Sequence, residues 1–330
     1  MLAFATSCQT NEVPLQRFEF QEPQMGVPFR IVLYAPDEPR AEAVAKAAFA
    51  RVSHLNSLLS DYDYDSELSR LSRTSGSGQK VPISPELWTV LKHGQSFAQQ
   101  SEGAFDMTVG PAVNLWRKAR REKRFPDEAR LAEARKAVGY RNLVLNEKTR
   151  TAELLVPNMR LDLGGIAKGY AIDEAMQVLK RHGVTRALIS GGGDIVVSEP
   201  PPGRSSWRIE LPPLQENGVA SEFLHLRNQA MATSGDLFQF VELDGKRYSH
   251  IVDPRTGIGL TDRSRVVVVT DKGITADALS TTVSVLGGEK GWNLAKTFPS
   301  TAVRISWKTG EEVETLETKN FARLLRERAK

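Results

Sequence analysis

An aspartate and a threonine at the start of a predicted helix form the clearest chemical pattern in this sequence. Asp277 and Thr281 are four residues apart within the segment 275–282, so both lie on one face of that helix. A carboxylate and a hydroxyl near a helix N-terminus suit a hard cation with oxygen ligands, or an anion attracted by the helix dipole. The ordinary alternative is an N-terminal Asp followed by a Thr whose hydroxyl bonds back to its own helix. The pair alone leaves both interpretations open.

A second polar motif precedes this helix in the chain. His250 lies three residues before Asp253 in the segment 248–257, which ends in Pro-Arg-Thr-Gly. The segment follows a predicted strand, and loops at strand ends often carry functional residues. His250 is therefore the histidine best placed for chemistry.

Two glycine-rich segments have backbone that could approach a ligand closely. Residues 161–169 contain Gly-Gly and a lysine, and residues 190–194 contain three consecutive glycines before Asp194. The first lacks the spacing and the Lys-Ser/Thr ending of a P-loop, and the second lacks the dinucleotide-binding fingerprint. A Gly-x-Ser-x-Gly nucleophile elbow is also absent from the sequence. These segments therefore predict backbone contacts to a ligand or simple tight turns.

The elements that would position these residues are a mixture of helices and hairpins. The four valines at 266–269 predict a buried strand directly before the helix that carries Asp277. Apolar residues recur at helical spacing in residues 42–59, 84–97 and 166–179, and the Asp244-Gly245 step predicts a hairpin turn. Hairpins separated by helices favour an α+β fold over a doubly wound sheet. A tail at 1–16 and one domain at 17–330 are predicted.

Composition excludes several classes of protein. The chain has 330 residues, 40% of them hydrophobic, which is enough for a large core. A net charge of +4 is too small for a nucleic-acid binder of this length, so no nucleic-acid partner is expected. The sequence has no apolar run long enough for a membrane span. A single cysteine excludes an internal disulfide framework and a Cys-based zinc site.

That cysteine, Cys8, suggests a location. The small residues before it in Ala-Thr-Ser-Cys resemble a bacterial lipobox, in which the cysteine becomes lipidated. Only seven residues precede Cys8, too few for the charged and apolar regions of a leader peptide. We expect the periplasmic side of a bacterial cell envelope, with a lipid anchor at Cys8. The alternative is a cytoplasmic protein with an ordinary cysteine in its N-terminal tail.

Taken in order, the motifs resemble one family closely, the ApbE-type FAD:protein FMN transferases. The resemblance covers roughly residues 25 to 310. No single motif decides it, but their common order along the chain is very specific. The matching segments are 25–26, 59–67, 103–111, 162–170, 190–194, 233–235, 250–257 and 276–281.

The resemblance implies a fold, a substrate and a set of site residues. The fold would be two tandem T-fold-like units of antiparallel sheet with helices packed on them, and FAD would lie between the units. Asp277, Thr281 and the carbonyl of Gly165 would bind Mg²⁺, and His250 would lie beside the reacting phosphates. The residues expected to contact FAD are Met25, Tyr62, Ala104, Phe105, Asp106, Asp162, Lys168, His250 and Ile251.

The resemblance also implies the reaction. A Thr or Ser hydroxyl of an acceptor flavoprotein, expected to be a membrane redox subunit, would attack the flavin-side phosphorus of FAD and release AMP. Mg²⁺ and Lys168 would offset the pyrophosphate charge, while Asp277 and His250 would be the catalytic residues. His250 would accept the hydroxyl proton, since an ordinary histidine pKa near 6.5 suits that task. Two alternatives stay open: hydrolysis of FAD to FMN and AMP, and a non-catalytic FAD-binding lipoprotein.

Overall fold

The four consecutive valines lie in a strand at Ser264–Thr270 that is buried on both faces. Val266 and Val268 belong to one apolar core, and Val267 and Val269 belong to another on the opposite face of the sheet. A strand covered on both sides has no solvent face, so its sequence does not alternate between apolar and polar residues. The prediction of a buried strand here is confirmed.

The computed structural model describes residues 14–211, 222–235, 240–298, 300–309 and 312–326. The strands are β1 (Gln16–Gln24), β2 (Val27–Ala35), β3 (Val81–Pro82), β4 (Leu143–Asn146), β5 (Thr151–Leu154), β6 (Ala187–Gly191), β7 (Asp194–Val197), β8 (Trp207–Leu211), β9 (Glu222–Leu226), β10 (Gln229–Gly235), β11 (Phe240–Leu243), β12 (Lys246–Ser249), β13 (Val252–Asp253), β14 (Ile258–Gly259), β15 (Ser264–Thr270), β16 (Ala302–Thr309) and β17 (Glu312–Glu317). The helices are α1 (Glu38–Leu59), α2 (Glu67–Ser72), α3 (Pro85–Gln100), α4 (Gly110–Glu122), α5 (Glu128–Lys136), α6 (Ala167–Arg181), α7 (Gly273–Leu286), α8 (Gly288–Lys296) and α9 (Lys319–Leu324), with a 3-10 turn at Tyr140–Asn142.

An eight-stranded antiparallel sheet, in the order β1-β2-β6-β7-β10-β15-β16-β17, organises the molecule. Its first four strands form one half, in which α1 to α6 lie between β2 and β6 along the chain. The last four strands repeat this pattern, with α7 and α8 between β15 and β16. The halves join where β7 pairs with β10 over three residue pairs. The predicted α+β fold of two tandem units is confirmed.

Helices cover one face of this sheet, and smaller elements cover the other. The main core packs α1, α3, α6 and α7 on the sheet, and the second core places the β8–β9 hairpin and α9 behind it. A third cluster surrounds Trp116 of α4 and packs α4 against β11, β12 and β13. This arrangement brings α6 and α7, one from each half, into contact above the sheet.

Several local signals in the sequence form the elements they predict. The Ser84 hydroxyl caps α3 by accepting a hydrogen bond from the Leu87 N–H at 3.2 Å. Asp244 and Gly245 both have positive φ in the turn between β11 and β12, as an Asp-Gly hairpin requires. Among the described residues, no helix is both long enough and apolar enough to cross a membrane. Cys8 lies outside these residues, so the tail and domain boundary stay predictions.

Candidate active site

The helix pair α6 and α7 places Asp277 beside the start of α6. The backbone N–H of Gly169 donates a hydrogen bond to Oδ2 of Asp277 at 3.0 Å. A side chain at position 169 would put its Cβ 2.5 Å from the carbonyl carbon of Gly273 and 2.8 Å from the Cβ of Asp277. Only glycine allows this approach, which explains the glycine after Lys168 in the sequence.

Lys168 lies between two buried carboxylates. Its Nζ is 3.7 Å from Oδ2 of Asp194 and 3.9 Å from Oδ2 of Asp277, and it donates a hydrogen bond to the Gly164 carbonyl at 3.1 Å. Asp194 and Asp277 are only 3% and 4% exposed. Oδ2 of Asp194 has no hydrogen-bond partner among the described residues. One ammonium thus faces two carboxylates without a direct hydrogen bond to either.

The surplus negative charge of this cluster shifts its pKa values. Burial raises the pKa of Asp277, and burial together with the Asp277 charge raises the pKa of Asp194 well above its ordinary value. Burial lowers the pKa of Lys168, but the two carboxylates outweigh burial and raise it overall. A second cation would remove the surplus charge, because each buried carboxylate would then have its own counter-charge.

The predicted metal ligands lie together beside this cluster. A Cβ at Gly165 would lie 3.0 Å from Oγ1 of Thr281, and Thr281 is one turn after Asp277 on α7. Within the described ranges no group of three or more His, Cys, Asp or Glu residues could hold a metal. A site here would depend on one or two carboxylates, a hydroxyl and a carbonyl. This hard, all-oxygen set fits Mg²⁺, which uses few protein ligands and takes the rest from phosphate and water.

A second charged cluster joins two of the predicted FAD contacts. The Arg117 guanidinium forms ion pairs with Asp61 and, at 2.8 Å, with Asp162, and its Cζ lies 4.3 Å from the centre of the Tyr62 ring. Burial and the neighbouring Asp61 raise the pKa of Asp162, against the attraction of Arg117. Tyr62 is 78% exposed and borders a cavity of about 410 Å³. The exposed ring offers a flat face for an aromatic ligand.

The predicted contacts in the segment 104–106 are buried and cannot present their side chains freely. Asp106 accepts hydrogen bonds from the N–H and the hydroxyl of Thr108 and from the N–H of Tyr140. Its carboxylate therefore fixes this turn. Ala104 and Phe105 are also buried, and Phe105 packs in the main core. Any ligand contact from this segment falls to its backbone.

Met25 lies in a hairpin turn at the edge of the Lys168 cluster. Met25 and Gly26 both have positive φ in the turn between β1 and β2. A Cβ at Gly192 would lie 3.3 Å from the side chain of Val27 and 3.1 Å from that of Lys168. The glycine turn before Asp194 thus packs between the Met25 turn and the lysine.

His250 and Ile251 connect the third core cluster to α7. The Ser249 carbonyl accepts a hydrogen bond from the Trp116 indole at 2.9 Å, which holds the residue before His250 against α4. Arg255, in the turn that follows, donates to the Val285 carbonyl of α7 at 3.3 Å. The segment with His250 therefore spans from α4 to the helix with Asp277.

Sequence reasoning missed two residues of the site. Asp194 ends a glycine run whose sequence indicates backbone contacts to a ligand or a tight turn, and a single buried carboxylate has no periodic signal. Arg117 belongs to the basic run 117–124, a charge pattern typical of a solvated helix or loop face or of contact with an anionic membrane surface. Instead, Arg117 is largely buried and pairs with two carboxylates. No local pattern singles out Arg117, because it lies off the helix face that Ala112, Trp116 and Ala119 bury.

Comparison with known proteins identifies the family. The sequence profile of the ApbE family matches residues 25–305. This chain belongs to the ApbE family. It is 32% identical over 291 residues to the FAD:protein FMN transferase of Vibrio cholerae, with 86% of each chain covered. It is also 32% identical over 292 residues to the enzyme of that name from Treponema pallidum, covering 83% of this chain and 80% of the other.

Solved structures of ApbE proteins share the whole fold. The flavinyl transferase ApbE of Pseudomonas stutzeri, in its apo form, superposes with a TM-score of 0.83 at 30% identity, covering 94% of this chain and 98% of the other. The flavin transferase ApbE of Vibrio cholerae superposes with a TM-score of 0.85 at 29% identity, covering 94% and 100%. The resemblance based on ordered motifs is confirmed.

Proposed function

We propose that this protein transfers FMN from FAD to a Thr or Ser hydroxyl of an acceptor flavoprotein and releases AMP. Curated relatives named FAD:protein FMN transferase match it at 28–32% identity over most of its length. The observation that carries the proposal is the pair of buried carboxylates, Asp194 and Asp277, opposite a single lysine. A protein that only holds FAD would have no need for such a buried site of surplus negative charge.

The adenosine end and the pyrophosphate of FAD would bind to the two charged clusters. The adenosine half would stack on Tyr62, whose ring is already ordered by Arg117, with Asp162 nearby. The backbone of 104–106 and the Met25 turn would complete this part of the site. The pyrophosphate would lie at Lys168, with Ile251 and His250 on the far side.

Gly165, Asp277 and Thr281 would hold Mg²⁺, which when bound would offset the pyrophosphate charge and stabilise the leaving phosphate. Lys168 would donate hydrogen bonds to the pyrophosphate oxygens. The acceptor hydroxyl oxygen would bond to the flavin-side phosphorus as the bond from that phosphorus to the AMP oxygen breaks. The hydroxyl proton would pass to His250, and AMP would leave with the electron pair of the broken bond.

The decisive experiment uses the full chain with FAD, Mg²⁺ and a flavin-free acceptor subunit of a membrane redox complex. We expect flavin fluorescence on the acceptor after denaturing electrophoresis, together with one AMP per flavin transferred. An acceptor with its target Thr replaced by Val is the matched control. Free FMN without labelled acceptor would establish a hydrolase, and unchanged FAD would establish a binding protein.

We also propose that the protein works on the periplasmic side of the cell envelope, anchored through Cys8. The lipobox-like residues before Cys8 support this. Cell fractionation of the native protein and of Cys8→Ser tests it, since the substitution should release the protein from the membrane fraction. An unmodified N-terminus on cytoplasmic protein would contradict it.

A further inference from the structure

Contacts between α7 and the segment 165–173, which leads into α6, follow a regular register that extends one helical turn beyond the candidate metal site. The residues involved are four apart in each segment and run in opposite directions along the two segments. The contacts join Gly165 to Thr281, Gly169 to Asp277 and Asp173 to Gly273. Two of the three contacts contain the predicted metal ligands, and the third contains none.

The third contact consists of two hydrogen bonds at the start of α7. The carboxylate of Asp173 accepts from the N–H of Gly273 at 2.7 Å and from the N–H of Ile274 at 3.0 Å. The first N–H groups of a helix have no partner within the helix, and the residue before α7, Lys272, supplies no side-chain cap. Asp173 of α6 therefore supplies the cap that α7 lacks.

Close backbone contact makes this register rigid. A Cβ at Gly273 would lie 2.5 Å from the Gly169 carbonyl oxygen and 3.0 Å from Oδ1 of Asp173. The helices thus approach closely through the backbones of Gly169 and Gly273, and the Asp173 and Asp277 carboxylates bridge them by hydrogen bonds. A displacement of α7 along α6 would break the hydrogen bond from Gly169 to Asp277 as well as those to Asp173.

We propose that Asp173 is a positioning residue for the transfer reaction: by capping α7 it fixes Asp277 and Thr281 against Gly165 and Lys168. The inference rests on the proposed function, because it assigns the fixed residues to the metal and the pyrophosphate. Asp173 itself lies one turn away from Asp277, and its carboxylate accepts hydrogen bonds from backbone N–H groups of α7. Burial raises the pKa of Asp173 to about 6, so the group is a carboxylate at neutral pH and still receives both hydrogen bonds.

Asp173→Asn tests the proposal, with Glu174→Gln as the matched control. Asparagine keeps the size of the side chain but replaces one acceptor oxygen with an NH₂ group, which cannot accept a hydrogen bond from a backbone N–H. Glu174 is the next residue of α6 and pairs with Arg51 at 2.6 Å, on the side toward α1. Both variants lose one negative charge from the same helix, and only the first disturbs α7.

The first readout is direct Mn²⁺ binding to the FAD-loaded protein by electron paramagnetic resonance. We expect Asp173→Asn to weaken Mn²⁺ binding by about tenfold, the lower end of the effect of losing a group that orients metal ligands. FAD affinity without metal should stay within about twofold of the parent, and high Mg²⁺ should restore most of the transfer rate. A lower rate at every metal concentration, with unchanged Mn²⁺ affinity, would overturn the proposal.

The second readout does not depend on metal or on activity. Amide hydrogen exchange reports whether the N–H of Gly169 is still bonded to Asp277. We expect faster exchange at Gly169 in Asp173→Asn and parent-like exchange in Glu174→Gln. If the parent fails to transfer FMN, the proposed function fails, and this readout still decides the role of Asp173. Unchanged exchange at Gly169 would overturn the positioning role by itself.

Discussion

The two charged clusters of the site have the same composition but differ in how the basic side chain contacts the carboxylates. Each contains two aspartates and one basic residue. The planar fork of Arg117 reaches Asp61 and Asp162 directly, and each carboxylate receives its own ion pair. Lys168 is a point charge that stays 3.7 Å and 3.9 Å from Asp194 and Asp277. The Arg117 cluster is complete in the sense that both carboxylates are hydrogen-bonded to the guanidinium, whereas both carboxylates of the Lys168 cluster lie beyond hydrogen-bond distance of the lysine.

This difference separates a binding surface from a reaction centre. In the Arg117 cluster the guanidinium lies against the Tyr62 ring without a ligand. An incomplete cluster stores unfavourable electrostatic energy that a cation can release on binding. We therefore expect substitutions at the Lys168 cluster to change metal affinity and rate, and those at the Arg117 cluster to change FAD affinity and stability.

The largest effect is expected for Asp277→Asn, which keeps the shape of the side chain and removes its charge. Transfer should fall at least about ten-thousand-fold, because the loss of a metal ligand removes several kcal/mol of transition-state stabilisation. FAD affinity should fall much less, since the Tyr62 side of the site is untouched. Stopped-flow transfer assays in saturating Mg²⁺ and FAD titrations measure both. Parent-like turnover would show that Asp277 is not a metal ligand.

His250→Ala examines whether the Lys168 cluster alone accounts for catalysis. General-base assistance is worth about a hundred- to ten-thousand-fold, so transfer should fall by that factor while FAD affinity changes little. Parallel losses of rate and FAD affinity would instead make His250 a ligand contact.

Replacing each basic residue with the other type tests whether the two clusters differ as described. In Lys168→Arg the guanidinium should bind both carboxylates directly and complete the cluster, so Mg²⁺ affinity should drop about tenfold or more. In Arg117→Lys the fork is lost, and the free energy of unfolding should decrease by about 2 kcal/mol. Calorimetric Mg²⁺ titration and urea denaturation measure the two effects. Equal responses to both substitutions would remove the distinction between the clusters.

The smallest effect concerns stability and pH in the metal-free protein. The pKa of Asp194 is raised well above its ordinary value by burial and by Asp277, so the folded state resists its ionisation. Its contribution to stability is therefore lost as the pH rises from the unfolded pKa toward the folded pKa. Asp194→Asn removes this loss, so the variant should gain thermal stability over the parent as the pH increases. A difference in melting temperature between Asp194→Asn and the parent that stays constant from pH 4 to pH 9 would contradict this prediction.

Local signals made much of the fold predictable, and long-range contacts made the rest unpredictable. The Ser84 cap, the Asp-Gly turn and the four valines each act over a few residues, and each forms as expected. Strand β1 was not predicted, because it lies at the edge of the sheet and is mostly polar. Helix α8 begins at two glycines and lacks a side-chain cap, so it had no start signal.

The site residues likewise divide into those that local spacing predicts and those that only the tertiary structure brings together. Asp277 and Thr281 share a helix face, so their spacing alone brought them together. Asp194 meets Lys168 only because β7 and α6 converge, and Arg117 meets Asp162 across 45 positions of the chain. These contacts depend on tertiary structure, and residue spacing in a single sequence does not predict them. The ordered family motifs located the segments but not the charges between them.

The outer strands of the sheet bear on how the protein behaves in concentrated solution. An open sheet has two edges whose unpaired backbone groups can recruit a strand from another molecule. In the described part of the chain, β17 forms one edge and carries Glu312, Glu314 and Glu317, and β1 forms the other and carries Arg17, Glu19 and Glu22. Strand addition at either edge would bring these charges out of water or against like charges. The charged side chains on these edge strands therefore disfavour edge-to-edge aggregation of the sheet.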